Sequence, residues 1–282
     1  MIVAVVGPTG VGKTKLSVEL AKKYNAVVVN CDAVQVYKEL NIGSAKPTEE
    51  EKCGIEHLLF DIVSVTDNYT VKDYQKDLRN VLKKYHNRNI VIVGGTGLYL
   101  CAGLYDYEFK EEINTNNYDN LSNEQLYNLA LEKDKNMDIH KNNRVRLIRF
   151  LNRESKNNNG NKLLYDVKFI GLNLDRNLLY ERINLRVDKM MKDGLLDEVK
   201  NLNPLRVSSR VLNTAIGYKE LYDYFDKKIS LEQAIEEIKQ NSRHYAKRQF
   251  TWFNNKMNVT WFDVNLDDFQ RTIDQVEDFL DN

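Results

Sequence analysis

Three short apolar runs, Ile2 to Val6, Ala26 to Asn30 and Asn89 to Val93, punctuate longer stretches whose apolar positions recur every three to four residues. Such runs, bounded by glycine or polar turns, suit strands buried on both faces of a parallel sheet, and the helical stretches between them suit crossovers. Lys168 to Leu174 is a further strand of this kind. The alternation predicts an α/β fold with a parallel sheet flanked by helices. Several helix starts carry their own signal: Thr48 before Glu49-Glu50-Glu51, Tyr69-Thr70 ahead of a helix through Tyr85, Ser122 with Gln125, Asp175 before Arg176, and Ser230 with Gln233 opening a long helix to Phe253. In each, a short polar side chain can accept from the first free amides of the helix. The acidic segment from Asp263 reads as a terminal helix.

The pattern changes between about Lys110 and Asn136, where asparagine and acidic residues rise and apolar ones thin out. This predicts a small helical insertion at 110–138 that interrupts a core made of 1–109 and 139–282, with a helical C-terminal part. Composition adds boundaries rather than detail. With 42% hydrophobic and 29% charged residues in 282, the chain reads as globular. Its 41 basic and 41 acidic side chains cancel, so a nucleic-acid surface has to come from local clustering. Cys31, Cys53 and Cys101 show no paired or metal-binding spacing, which suits reduced thiols in a cytoplasmic protein. No export signal and no run of about 20 apolar residues is visible, so no membrane span is expected, and a monomer is.

Candidate chemistry starts after the first strand. Gly7-Pro8-Thr9-Gly10-Val11-Gly12-Lys13-Thr14 lies between that strand and a helical pattern carrying Leu16, Leu20 and Ala21. Strand, glycine-rich turn and helix is the context a phosphate-binding loop requires. Its backbone amides cradle phosphate oxygens, the helix start and Lys13 add positive charge, and the Thr14 hydroxyl is placed to hold Mg²⁺. Diphosphate or triphosphate binding follows, and the sheet is therefore expected to be of the P-loop NTPase type. The motif does not specify a reaction.

Asp32 ends the second strand and Thr96 follows the glycine pair Gly94-Gly95 after the third. Ligands of open α/β sheets sit at the carboxyl ends of the strands, so both residues should face the crevice of Lys13. From position alone Asp32 is a base, a Mg²⁺ partner or a helix cap. Arg146, Arg149 and Arg153 recur on one helical face, and Arg243 to Phe253 mixes cations with aromatics. Cations track a nucleic-acid backbone while aromatic faces stack bases, a combination suited to single-stranded or loop RNA. His57, standing alone, reads as structural.

Taken in order, these segments resemble the bacterial-type tRNA dimethylallyltransferases, also called tRNA isopentenyltransferases. The resemblance is carried by Gly7 to Thr14, Asp32 to Tyr37, Ile42-Gly43-Ser44-Ala45-Lys46-Pro47, His57 to Ile62 and Gly94 to Leu100. It continues through His140 to Arg149, Gly194 to Val199, Ala215 to Glu220 and Arg243 to Trp252. It implies transfer of a dimethylallyl group from dimethylallyl diphosphate to N6 of the adenosine at position 37, just 3′ of the anticodon. In that family Asp32 corresponds to the general base and Thr96 to a partner that places the adenine. Gly7, Pro8, Thr9, Gly10, Val11, Gly12, Lys13 and Thr14 are then the diphosphate site, with Thr14 on Mg²⁺. Contacts to the anticodon stem-loop of tRNA are expected from Asp32, Ala33, Val34, Gln35, Thr96, Val145, Arg146, Leu147, Ile148, Arg149, Arg243, Lys247 and Arg248. The chain departs from the family pattern at Thr214, where a glutamine or arginine is common, at Lys141 and Asn143, which replace proline and aspartate, and in the shortness of the insertion.

The alternative is a P-loop small-molecule kinase, which needs several arginines on a closing lid, and Lys110 to Asn136 contains none. A GTPase lacks its Asn-Lys-x-Asp signature here, and a purely RNA-binding module leaves Asp32 and Thr96 beside Lys13 without purpose.

Overall fold

The structure is a computed structural model and describes residues 1–109, 116–152 and 162–282. Its strands are β1 (Ile2–Val6), β2 (Ala26–Asn30), β3 (His57–Leu58), β4 (Asn89–Val93), β5 (Val167–Asn173) and β6 (Thr260–Asp263). The helices are α1 (Lys13–Lys23), α2 (Glu49–Lys52), α3 (Val71–Lys84), α4 (Gly97–Leu104), α5 (Asn123–Lys133), α6 (Arg144–Leu151), α7 (Arg176–Lys192), α8 (Leu195–Leu202), α9 (Tyr218–Phe225), α10 (Leu231–Lys256) and α11 (Phe269–Asp281).

The chain divides into two compact units, one of residues 1–104 with 165–282 and one of residues 105–164. In the first, the described strands form one sheet in the order β3-β2-β4-β1-β5-β6, and every pairing is parallel. Valine and isoleucine dominate β1, β2 and β4 because helices cover both faces and no alternation is needed. Leu16 and Leu20 of α1 pack beneath β1 and β2 with Leu179 and Ile183 of α7 and with Ile273, Val276 and Leu280 of α11. A second core lies around Tyr218, Leu221 and Tyr222 of α9, with Val199 of α8 and Ile238 of α10, and the segment from Val36 to Leu40 packs into it. This second core matters for function because it carries the loop after β2.

The helix starts behave as their sequences predict. Thr48, Thr70, Ser122 and Ser230 each complete a reciprocal capping box, and the Asp175 side chain accepts from the Asn177 and Leu178 amides. Two strands escape the hydrophobic pattern. His57–Leu58 is too short for any periodicity, and Thr260–Asp263 alternates weakly at the sheet edge, within a stretch that otherwise reads as the approach to a terminal helix.

The insertion is also larger than composition indicates. It is the unit of residues 105–164 rather than 110–138, and α6 belongs to it instead of to the core. Leu126 and Ala130 of α5 pack on Leu147 of α6, so α5 has its apolar partner inside the insertion. Composition registers the polar stretch but not this pairing. Lys110, Arg153 and the loop expected at Asn157 to Asn161 lie outside the described residues.

Candidate active site

The turns after β1, β2 and β4 meet α7 and α10 at the carboxyl end of the sheet. Gly12, at the N-cap of α1, has φ 102°, in the left-handed region that favours glycine, and a Cβ there would press on the Phe269 ring at 2.7 Å. No side chain caps α1, so its first amides are the orphan donors every helix start leaves. Thr14 is exposed at this start. Lys13 curls back to donate to the Pro8 carbonyl at 2.7 Å. Its pKa falls to about 7, first through burial and then through the neighbouring Arg186, while Asp32 acts in the opposite sense. Two buried cations, offset only in part by Asp32, make the crevice electrostatically favourable for an anion such as phosphate.

α7 supplies cations that the motif does not contain. Arg182 Nε donates to the Gly10 carbonyl at 2.9 Å, and Arg186 donates to Thr9 Oγ1 at 3.1 Å. Burial lowers the Arg186 pKa, with Asp32 and Glu51 opposing. Within the turn expected to bind diphosphate, the Thr9 amide donates to Gln249 Oε1 at 2.9 Å. Pro8 has no N–H to offer, and the Val11 side chain is buried in the core. The donors left in this region are the uncapped amides at the start of α1, with Lys13 and Arg186 beside them.

On the other side of β1, Asp32 and Thr96 come together. Asp32 Oδ1 accepts from the Val34 amide at 2.8 Å and more weakly from Gln35 at 3.4 Å, which is the capping geometry considered from its position. Oδ2 accepts no hydrogen bond from the described residues. Thr96 Oγ1 accepts from the Ala33 amide at 3.0 Å, and the Thr96 amide donates to the Cys31 carbonyl at 3.1 Å. The Thr96 hydroxyl proton is thereby directed elsewhere, and Tyr245 on α10 lies beside it with its phenol pushed above the ordinary range by burial and by Asp32. Cys31 is buried and its thiol is pushed up to about 12, so it plays no nucleophilic part.

Gln35 does not offer its amide nitrogen to a ligand. Nε2 donates to the Ser44 and Ala45 carbonyls at 3.0 and 3.1 Å, which anchors the loop Ile42 to Pro47. The opposite side of that loop is held by Glu198 of α8, whose carboxylate accepts from the Asn41, Ile42 and Gly43 amides at 3.1, 2.9 and 3.1 Å and from the Tyr218 hydroxyl at 2.6 Å. Lys46 adds bonds to the Tyr37 carbonyl at 2.8 Å and to Asp61 at 2.5 Å. The segments Gly194 to Val199 and Ala215 to Glu220 thus serve the site from behind. His57 is structural as expected: its ring nitrogen lies 2.8 Å from the Ile55 carbonyl, and burial lowers its pKa.

The residues expected to meet RNA divide by exposure. In the insertion, Val145 is 59% exposed and Arg146 and Arg149 are exposed, whereas Leu147 is 0% exposed and Ile148 packs against it. Leu147 and Ile148 are core side chains, because helical periodicity turns them inward. Asn143, which stands where aspartate is common, still caps α6 by accepting from the Arg146 amide. On α10, Lys247 and Arg248 are exposed, with Arg248 over the Tyr245 ring at 5.7 Å. Arg243 instead ties α10 to α7 through Asn184 at 2.6 Å. Of the aromatics interleaved with these cations, Phe253 is buried and Trp252 covers Gly97, whereas Phe250 packs on Trp261 but stays 37% exposed.

Arg182 and Arg186 lie in no segment that the sequence marks, whereas Glu198, Tyr245 and Gln249 lie inside segments that carry the family resemblance but are not singled out within them. Arg182 and Arg186 do carry a faint signal, being one turn apart on the helix that follows a sheet strand.

The comparisons with known proteins agree with this geometry. The family model described as IPP transferase matches residues 35–256. The tRNA dimethylallyltransferase of Bacillus mycoides (strain KBAB4) is 44% identical over 288 aligned residues, covering 93% of this chain and 90% of that protein. The crystal structure of the full-length tRNA isopentenylpyrophosphate transferase of Bacillus halodurans superposes with a TM-score of 0.78 at 39% identity, covering 99% of this chain and 95% of that one. A eukaryotic dimethylallyltransferase acting on tRNA superposes with a TM-score of 0.81 at 27% identity, covering all of this chain and 79% of that one. The chain belongs to the IPP transferase family and is a tRNA dimethylallyltransferase-type member of it.

Proposed function

We propose that this protein transfers the dimethylallyl group of dimethylallyl diphosphate to N6 of adenosine 37 in the anticodon stem-loop of tRNA. The observation that carries the reading is the juxtaposition of two sites around β1 and β4. Lys13, Arg186 and the Gly10 to Thr14 amides form a cationic cradle, and Asp32 Oδ2 with the Thr96 hydroxyl forms a neutralising and orienting pair beside it.

The chemistry fits each part. The allylic C1–O bond breaks as the C1–N6 bond forms, and negative charge grows on the departing diphosphate. Lys13, Arg186 and the helix start stabilise that charge where it develops. The exocyclic amine of adenine is a poor nucleophile whose lone pair is delocalised, and it must lose a proton as it is alkylated. Asp32 Oδ2 accepts that proton, a role that contributes about 10²- to 10⁴-fold. Thr96 donates its hydroxyl proton to orient the base, and the adenine has to leave the loop stack to reach either group.

No cluster of three or more His, Cys, Asp or Glu among the described residues could hold a metal ion. Mg²⁺ fits nonetheless, because it takes few protein ligands and completes its shell with phosphate oxygens and water. The exposed Thr14 hydroxyl is the residue that would hold it, and when bound it supplies charge neutralisation to the leaving diphosphate.

Exposed Lys247, Arg248, Arg146 and Arg149 supply the local positive charge that a neutral chain needs for RNA. Among the described residues no helix is long and apolar enough to cross a membrane. A tRNA substrate is what favours a cytoplasmic location, and we take the protein as a monomer. Incubation with bulk tRNA and labelled dimethylallyl diphosphate, ATP or GTP tests the reading. Label should enter tRNA from the allylic donor alone. Nucleoside triphosphate hydrolysis with unaltered anticodon loops would overturn it in favour of a phosphoryl-transfer enzyme.

A further inference from the structure

One side chain joins the turns that follow the adjacent strands β1 and β4. Gln249 on α10 is only 5% exposed. Its Oε1 accepts from the Thr9 amide at 2.9 Å, and its Nε2 donates to the Gly95 carbonyl at 3.0 Å. Each end of the amide is thus bonded to main chain, one on the diphosphate turn and one on the residue before Thr96. Gly95 has to be glycine for this to occur, since a Cβ there would collide with the Gln249 amide nitrogen. Thr9 is gripped from its other side by Arg186, and Tyr245, one turn earlier on α10, lies against both Thr96 and Gln249.

Burial and full engagement keep Gln249 away from any ligand. We infer that Gln249 is a positioning residue that sets the separation of the diphosphate turn from Thr96, and with it the line along which the acceptor nitrogen meets the allylic carbon. The inference rests on the transfer reaction proposed above. Reacting atoms must stand about 3–3.5 Å apart in line, and a displacement of about 1 Å can lower the rate about 10²-fold. A rigid amide bonded to two backbones holds such a gap, whereas a side chain of similar length without hydrogen bonds does not.

The test compares Gln249→Met with wild type in single-turnover transfer to tRNA, alongside the affinities for inorganic pyrophosphate and for tRNA. The transfer rate should fall by about 10²-fold while both affinities stay within about threefold, a pattern of lost transition-state alignment rather than lost binding. Unchanged transfer, or a loss carried by the two affinities, overturns the inference. Circular dichroism and thermal melting establish that the variant is folded. Should it not fold, Gln249→Glu decides: it keeps the acceptor for Thr9 and loses the donor to Gly95, and transfer equal to wild type again overturns the inference. Combining Gln249→Met with Thr96→Val gives a further readout. A shared role in alignment predicts a combined loss smaller than the product of the single losses, and a fully multiplicative loss counts against it. Wild type that leaves tRNA unlabelled removes the reaction itself, whereas wild type and Gln249→Met labelling tRNA equally remove only the bridge.

Discussion

On the proposed reaction, the donor and acceptor sides of the crevice are built in opposite ways. The donor side rests mainly on one turn, Gly10 to Thr14, and what other elements add is charge: Arg182 and Arg186 from α7. The acceptor side has almost no local motif. Asp32, Thr96 and the loop after β2 are placed by a web in which Asn30, Gln35, Lys46, Glu198 and Tyr218 satisfy one another and the backbone. Phosphate is recognised by amides and cations, which a single turn can present. An adenine amine needs one base and one donor at fixed angles, and fixing angles requires rigid support from several elements.

The sharpest way to break this comparison is at Asp32. Asp32→Ala should lower single-turnover transfer by about 10²- to 10⁴-fold while tRNA and inorganic pyrophosphate still bind. If pyrophosphate affinity changes as much as the rate, Asp32 acts through its field on Lys13 and Arg186, and the two sides are not separable.

On the donor side, Arg186→Ala should cost about 10²-fold in transfer with tRNA affinity unchanged, because a preorganised cation is removed from the leaving group. Titration with inorganic pyrophosphate should show the loss directly, and a variant that binds it like wild type would leave Arg186 as a mere brace for Thr9.

The web behind the acceptor side gives a smaller effect. Glu198→Ala strands three backbone amides and the Tyr218 hydroxyl, a loss of about 1–3 kcal/mol. Thermal unfolding should register it, and the tRNA KM should rise more than the donor KM. An equal rise in both would show that the loop Ile42 to Pro47 serves the two sites alike.

The mildest perturbation is pH. In the empty crevice Lys13 titrates near 7, and a bound diphosphate restores its charge, so binding takes up a proton once the pH exceeds about 7. Pyrophosphate affinity should therefore weaken as pH rises, by less than about tenfold between pH 7 and 8. Lys13→Met should abolish that slope. Stability has the matching sign: the folded chain binds fewer protons at Lys13 than the unfolded one between pH 7 and 10.5, so this group's unfavourable contribution is relieved as pH rises through that window.

Much of the molecule was legible in the order of residues alone. The β1 turn, strands β2 and β4, the capping boxes and the placement of Lys13, Thr14, Asp32 and Thr96 just beyond the carboxyl ends of the strands all follow from local patterns, because strand burial and helix initiation are short-range physics. The distant partners were decided only when the chain closed on itself. Gln249 reaches Thr9 across 240 positions, Arg186 reaches it across 177, and Glu198 reaches Gly43 across 155. The same closure turned Leu147 and Phe253 inward and moved α6 into the insertion, since which face of a helix is buried depends on the surface that folds against it. A hydrogen bond between residues so far apart leaves no periodicity to read, because its geometry belongs to the packed helices that carry it and not to the segment in which either partner sits.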